Sequence, residues 1–404
     1  MKERNALTKV VIFALILTFI GGTYASAGGV PGVSKNKIKL GHIGDLTGPG
    51  AYVGNLLVNV THAFFKNVND KGGIHGRKVE FITEDHKYSP TKAVAAFKYL
   101  ISRHNIFAIH NITSTVTCAA LFPYVAKEKI PVFPTTAMST LIYTPPKRYI
   151  FSMTSIASDE VKIVVDYIMK DLKAKNPRLA ICYQDDEWGK DGKIGMEKAA
   201  SEYGLKLVAA EPYKRGSIDL SSQAVRFKMA KAEYIFCTGY PPTYATLMKE
   251  CRKIGMSPKF FGNAATAISQ TLKLAGEAAR DSMYIGFAAM PQEDVPGMVE
   301  LKSELKKYRP EITINPLIPP LWAGSLALKE ALKRAGRDLT REGLIDALES
   351  FKGFETGGLA PPITYGPTSQ GPISRKGLHA LKVLKADIDK KIFIPVTDWR
   401  KTSM

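Results

Sequence analysis

Apolar positions recur along this chain in two alternating rhythms. Short, mostly apolar runs occupy 38–43, 79–83, 107–110, 179–183, 205–210, 234–237 and 282–289. Runs of that length and composition read as strands. Between them the period lengthens. Val53, Leu57, Val60, Phe64 and Val68 step by four, three, four and four, which places them on one helix face. Gly72-Gly73 then stops that helix, as glycine past a C-terminus does. Pro90 opens a second helix, in which Ala93, Val94, Phe97, Leu100 and Ile101 repeat at helical spacing. Val161, Val164, Val165, Ile168 and Leu172 repeat the pattern further on.

Apolar strands alternating with amphipathic helices predict α/β architecture, with parallel sheets covered on both faces. About twelve such elements exceed one ordinary sheet, so two similar lobes are expected. Residues 355–372 are rich in Gly and Pro and read as a loop or crossover. In parallel sheets, ligands bind at the carboxyl ends of the strands, in the loops leading into helices.

Those loops divide in character. The first half of the chain supplies small hydroxyls: Thr113, Ser114, Thr115, Thr117, Thr135 and Thr136. The second half supplies rings: Trp188, Tyr240 and Tyr244. Hydroxyls and helix N-terminal amides suit a carboxylate, and aromatic walls suit an apolar body. Structural roles compete with this reading. Ser and Thr after a strand are commonly helix caps. Trp188 also suits a core or surface position, and Tyr240 before Pro241-Pro242 suits a turn. Asp185-Asp186-Glu187 reads as a solvated cluster at a helix start, and His110 as a core histidine.

The first strand-end loop, Asp45 to Gly54 (DLTGPGAYVG), is glycine-rich but is neither G-x-G-x-x-G nor a loop ending in Gly-Lys-Ser/Thr. No G-x-S-x-G and no H-E-x-x-H occurs, so nothing argues for an enzyme. The 7 histidines and 4 cysteines make no ligand spacing, so neither metal nor cofactor is expected. Cys118, Cys182, Cys237 and Cys251 form no C-x-x-C pair and read as buried free thiols. The formal charge of +19 is spread along the chain, apart from short clusters such as Lys306-Lys307. It reads as a solvated surface, and no nucleic-acid partner is expected.

The N-terminus is the sharpest local signal. Lys2, Arg4 and Lys9 precede an apolar run over 10–20, and Ala25-Ser26-Ala27 follows. That is a signal peptide over 1–27, whose eleven-residue apolar run is too short to span a bilayer, which takes about 20 residues. The mature chain is expected in the periplasm.

Four motifs in order carry a resemblance: DLTGPGAYVG, then Val68 to Arg77 (VNDKGGIHGR), then Ile130-Pro131-Val132, then Asp185 to Gly189 (DDEWG). Together they resemble the branched-chain amino acid type of periplasmic binding protein, the type I solute-binding components of ABC importers. The resemblance runs from about residue 37 to 390. It implies two doubly wound lobes joined by three hinge strands, an N-lobe over 37–155 and 286–360, and a C-lobe over 156–285 and 361–404. It implies a ligand cleft in which Tyr52 covers the ligand and Ser114, Thr115, Thr135 and Thr136 hold its carboxylate. Trp188 and Tyr240 fall on cleft aromatics. The implied partner is an inner-membrane ABC permease, and the protein is expected to be a monomer.

One departure bears on the ligand. Amino-acid binders of this family carry an acid where Ala264 stands here, to hold the ligand ammonium. Burying an ammonium without its partner costs about 3–5 kcal/mol. The expected ligand is therefore a small carboxylate with an aromatic or apolar body and no α-ammonium. A branched-chain or other amino acid, held through Asp185 or Asp186, is the alternative. A sensing module for a signalling partner is a second.

Overall fold

Five parallel strands build the first sheet: β1 (Lys37–Gly44), β2 (Lys78–Asp85), β3 (Ala108–Ile112), β4 (Val132–Thr135) and β5 (Ile150–Ser152), in the order β2-β1-β3-β4-β5. This computed structural model describes residues 29–402, so the expected signal peptide lies outside the described residues. Helices α1 (Ala51–Asp70), α2 (Pro90–His104) and α3 (Thr115–Glu128) connect the strands. The helical rhythms are realised: Leu57, Val60, Phe64 and Val68 are buried. Pro90 opens α2 behind Ser89, whose hydroxyl accepts the Lys92 amide.

The second lobe contains β6 (Leu179–Gln184), β7 (Ala209–Tyr213), β8 (Tyr234–Thr238), β9 (Lys259–Gly262) and β10 (Met283–Gly286). Around them lie α4 (Ala157–Asp166), α5 (Glu187–Ser201), α6 (Ser221–Met229), α7 (Pro241–Lys253) and α8 (Ser269–Ala275). The chain then returns to the first lobe. There α9 (Pro296–Tyr308), α10 (Ile318–Arg334) and α11 (Arg341–Glu349) share one core with α1. Phe64 of α1 and Trp322 of α10 meet edge to face, 4.9 Å between ring centres. Finally β11 (Ala380–Asp387), β12 (Ile392–Pro395) and β13 (Arg400–Lys401) close the second sheet, whose order is β12-β11-β10-β9-β8-β6-β7, with β13 on β11.

The chain thus passes between the lobes three times: after β5, after β10 and before β11. Residues 355–367 of the last passage hold no named element, as their Gly and Pro content predicts.

Two details differ from the sequence pattern. The second sheet is mixed: β11 runs antiparallel to β10, and β12 antiparallel to β11. A short turn after Asp387 folds β12 back, and such turns join antiparallel strands only. The strand expected at 205–210 runs instead over Ala209–Tyr213. Its pairing starts where the Val208 amide donates to Leu179 O (2.8 Å). Leu205 and Leu207 pack on the core beside α5 before the strand begins.

All four cysteines are buried free thiols. Cys182 and Cys237 stand opposite one another on β6 and β8. Among the described residues no helix is long and apolar enough to cross a membrane.

Candidate ligand-binding site

The glycine-rich loop after β1 wraps a carboxylate of its own. Asp45 is buried, and its Oδ1 accepts the Gly48 amide at 2.7 Å while Oδ2 accepts the Gly50 amide at 2.6 Å. Its own amide donates to Thr113 Oγ1 at 2.8 Å, which ties this loop to the β3–α3 loop. The glycines are needed for the close approach. A Cβ on Gly54 would stand 2.0 Å from Asp45 O. Gly54→Ala is therefore expected to lower stability by about 1–3 kcal/mol through overpacking. A urea-unfolding midpoint equal to that of the parent protein would contradict this.

The β3–α3 loop is strained. Asn111 and Ser114 both adopt left-handed backbone, with φ of 79° and 74°. Such conformations persist at non-glycine residues only where the surroundings enforce them. Ser114 precedes the 14-residue helix α3, yet its hydroxyl does not cap it. Ser114 Oγ is buried, and the Tyr88 hydroxyl stands beside it. The first-turn amides of α3 lack intrahelical acceptors. A hydroxyl and a helix N-terminus thus point together at one spot suited to an anion.

The other predicted hydroxyls differ from Ser114. Thr115 Oγ1 accepts the Met138 amide (3.0 Å), and Thr135 Oγ1 donates to Ile112 O (3.0 Å). Both are committed to holding the loops. Thr136 makes no such bond among the described residues.

Aromatic rings from both lobes meet over this spot. Trp188 and Tyr240 lie 5.3 Å apart between ring centres, and Tyr88 and Tyr240 6.4 Å. Tyr88, from the loop after β2, is gripped across the cleft. Gln184 Nε2 donates to its hydroxyl (3.2 Å), and the Arg215 guanidinium stacks 4.3 Å from its ring and donates to Tyr88 O (2.8 Å). The lobes are therefore closed on each other. Burial pushes the Tyr88 and Tyr240 phenols up, so both remain neutral donors.

Between the lobes lies a cavity partly open to solvent. Ser114, Thr115, Thr135, Thr136, Trp188 and Tyr240 all line it. Two predicted residues do not. Tyr52 is 44% exposed on α1, its hydroxyl 3.3 Å from Asn315 Nδ2, while Gly50 and Val53 face the cavity. One residue along a helix turns the side chain by about 100°, which separates Tyr52 from Val53. Ala264 is buried behind the wall, and Ala265 lines it instead.

Sequence reasoning singled out neither Tyr88, although its loop ends a strand, nor the apolar wall. That wall is one face at the start of α10: Leu317, Pro320, Leu321 and Gly324. Its spacing is that of any core-facing helix, so no local signal marks it. Met153 and Phe287, at the first two crossings, complete it.

The acids are all occupied. Asp45 is the one residue with a formal charge among the described lining residues, and two amides hold it. Asp186 is not solvated but buried: it caps α5, accepting from the Trp188 and Gly189 amides and from Gln184. Asp185 pairs with Lys190 on the surface. Behind Ala264, whose amide it accepts at 3.2 Å, Glu160 is enclosed, and burial pushes its carboxyl up to about 8.

A family model described as periplasmic binding protein matches residues 37–387. The chain belongs to that family. The binding protein is 24% identical over 242 residues to the Leu/Ile/Val/Thr-binding protein of Salmonella typhimurium, covering 60% of this chain and 66% of that one. The match thus spans just under two thirds of that relative. A Leu/Ile/Val-binding protein homolog of Brucella suis is 23% identical over 366 residues, covering 85% of this chain and 86% of the relative. Among solved structures, a fatty acid ABC transporter substrate-binding protein from Thermomonospora curvata superposes with TM-score 0.83 at 24% identity, over 93% of this chain and 95% of that one. A branched-chain amino acid ABC transporter protein from Thermus thermophilus with bound valine gives 0.82 at 22% identity, over 92% and 98%. These likenesses carry the two-lobed type I fold of the binding protein.

Proposed function

We propose that this chain is the periplasmic solute-binding component of an ABC importer. It closes on a small carboxylate with an aromatic or apolar body and no ammonium group, then presents it, as a monomer, to an inner-membrane permease. One observation carries the ligand class: the cavity offers buried donors and an apolar wall, and its one charged lining residue among those described, Asp45, is already held by two backbone amides. Trp188 Nε1 is buried without a partner, and Ser114 Oγ is buried beside the Tyr88 hydroxyl. Asp45, Asp185 and Asp186 are each held by other groups. Glu160 stands behind the wall with its proton retained near pH 7. An ammonium entering here meets no free carboxylate, whereas a carboxylate meets donors.

Closure follows from the cross-cleft grip on Tyr88. A ligand that touches Tyr88, Ser114 and Trp188 together binds the closed form better and shifts the equilibrium toward it.

A thermal-shift screen of residues 28–404, unfolded and refolded to strip carried-over ligand, tests this. A ligand at about 100 times its Kd adds about 2.7 kcal/mol. That moves the midpoint by several degrees, at about 2–4 °C per kcal/mol. Shifts with aromatic or aliphatic acids, and none with leucine or valine, are expected. The second reading, an amino-acid binder, is favoured by relatives named for Leu, Ile and Val and by the valine-bound neighbour. A shift with leucine or valine alone would establish it in place of the first.

A further inference from the structure

We propose that Gly324 is a specificity-determining residue, whose missing side chain leaves room for the apolar body of an elongated monocarboxylate. This rests on the carboxylate reading above and narrows it, from small acids in general to those with an extended arylalkyl or alkyl tail.

Glycine is, after proline, the poorest helix former, so one inside a helix calls for a reason. Three other helical glycines here have one in the backbone packed against them, while Gly192 is hemmed in by the Thr238 hydroxyl. A Cβ on Gly54 would stand 2.0 Å from Asp45 O, one on Gly189 1.9 Å from Gln184 O, and one on Gly195 2.5 Å from Ser158 Cα. Gly324 has none. Its φ is not positive, and the nearest atoms to an added Cβ are side-chain atoms: Pro134 Cγ at 3.3 Å, Met153 Sδ at 3.8 Å and Pro134 Cδ at 3.9 Å. No backbone approach excludes alanine there. The backbone does not require glycine at this position, although the Pro134 ring would have to give by a few tenths of an ångström to admit alanine.

The cavity does. Gly324 shares the wall-forming face of α10 with Leu317, Pro320 and Leu321. The neighbouring Trp322 and Ala323 turn instead into the core shared with α1. Pro134 and Met153, the atoms a Cβ would approach, also line the cavity. The space in front of Gly324, beside Pro134 and Met153, is therefore part of the ligand chamber. A side chain of any size at 324 would fill it.

Isothermal titration of the parent protein, Gly324→Ala and Gly324→Leu tests this with benzoate, 3-phenylpropionate and octanoate. In the parent, the two longer acids bind more tightly than benzoate. In Gly324→Leu the ratio of the 3-phenylpropionate Kd to the benzoate Kd rises about tenfold or more, the scale of losing a methylene-sized space in an apolar pocket. Gly324→Ala falls between the two, and its ligand-free melting temperature stays within a few degrees of the parent's, which separates lost space from lost folding. An unchanged ratio in both variants, or equal loss for every acid, overturns the role of Gly324 and leaves the carboxylate reading standing. Parent protein that binds valine and none of the three acids overturns both.

Discussion

Arg375→Met is expected to destabilise the protein by about 3–5 kcal/mol, the cost of breaking a buried ion pair by removing one partner. Arg375 has no exposed surface, although it carries a full charge. Nη2 pairs with Glu349 Oε1 at 2.6 Å. The remaining donors reach Gly366 O at 2.5 Å, Lys147 O at 3.0 Å and Arg148 O at 3.1 Å. The guanidinium also lies 4.3 Å over the Phe151 ring. One side chain therefore joins the entry to β5, the end of α11 and the last passage between the lobes. Methionine fills much of the volume and supplies no donor. It leaves Glu349 without its partner and removes a donor from three carbonyls, of which Lys147 O keeps the Ile150 amide. Arg375→Lys should recover only part of the loss, because an ammonium cannot reproduce a planar fork. Urea unfolding measures both, and a loss below about 1 kcal/mol for methionine would show that the network contributes little.

The parts of this molecule legible in its sequence are those set by local pattern. The apolar runs at β1, β2, β3, β6 and β8 and the faces of α1 and α2 could be read directly, because one period decides them. The strand-end loops could be found for the same reason, and six predicted residues meet around the cavity. What failed depends on phase or on distant partners. Tyr52 and Val53 are adjacent, and only the rotation of α1 decides which faces the cleft. Ala264 and Ala265 differ in the same way within one loop. Thr115 and Thr135 look like Ser114 in sequence, but their hydroxyls are taken by backbone groups more than twenty residues away. The apolar wall from α10 was invisible, because a helix some two hundred residues beyond the hydroxyl loops folds back onto them.

Glu160→Gln is expected to remove a loss of stability that runs from about pH 4.5 to about 8. Glu160 lies in the first turns of α4, just after the first passage between lobes. Its Oε1 accepts from Ser155 Oγ (2.6 Å) and the Ala264 amide (3.2 Å), and Oε2 is buried without a partner. Burial, outweighing those hydrogen bonds, raises its pKa from 4.5 to about 8. The fold thus keeps a proton that the unfolded chain has released. Its contribution is fully present below pH 4.5 and is lost as pH rises through about 8. At about 1.4 kcal/mol per unit, the full loss is on the order of 4–5 kcal/mol.

Buried His42 and His110 work the other way. Burial lowers them from 6.5 to about 3 and about 4. Their contribution is present above pH 6.5 and is lost as pH falls. Two histidines outweigh one carboxyl between pH 4.5 and 6.5, so stability should peak near 6.5. Glutamine mimics the protonated acid at nearly equal volume. The variant should match the parent at pH 5 and exceed it by several kcal/mol at pH 9, and parallel slopes for the two proteins would sink the argument. The same titration reaches the ligand. Ala264, held by Glu160, adjoins Ala265 in the cavity wall, so ionising Glu160 places a negative charge behind the chamber. Carboxylate affinity should then fall above pH 8 in the parent and stay level in Glu160→Gln.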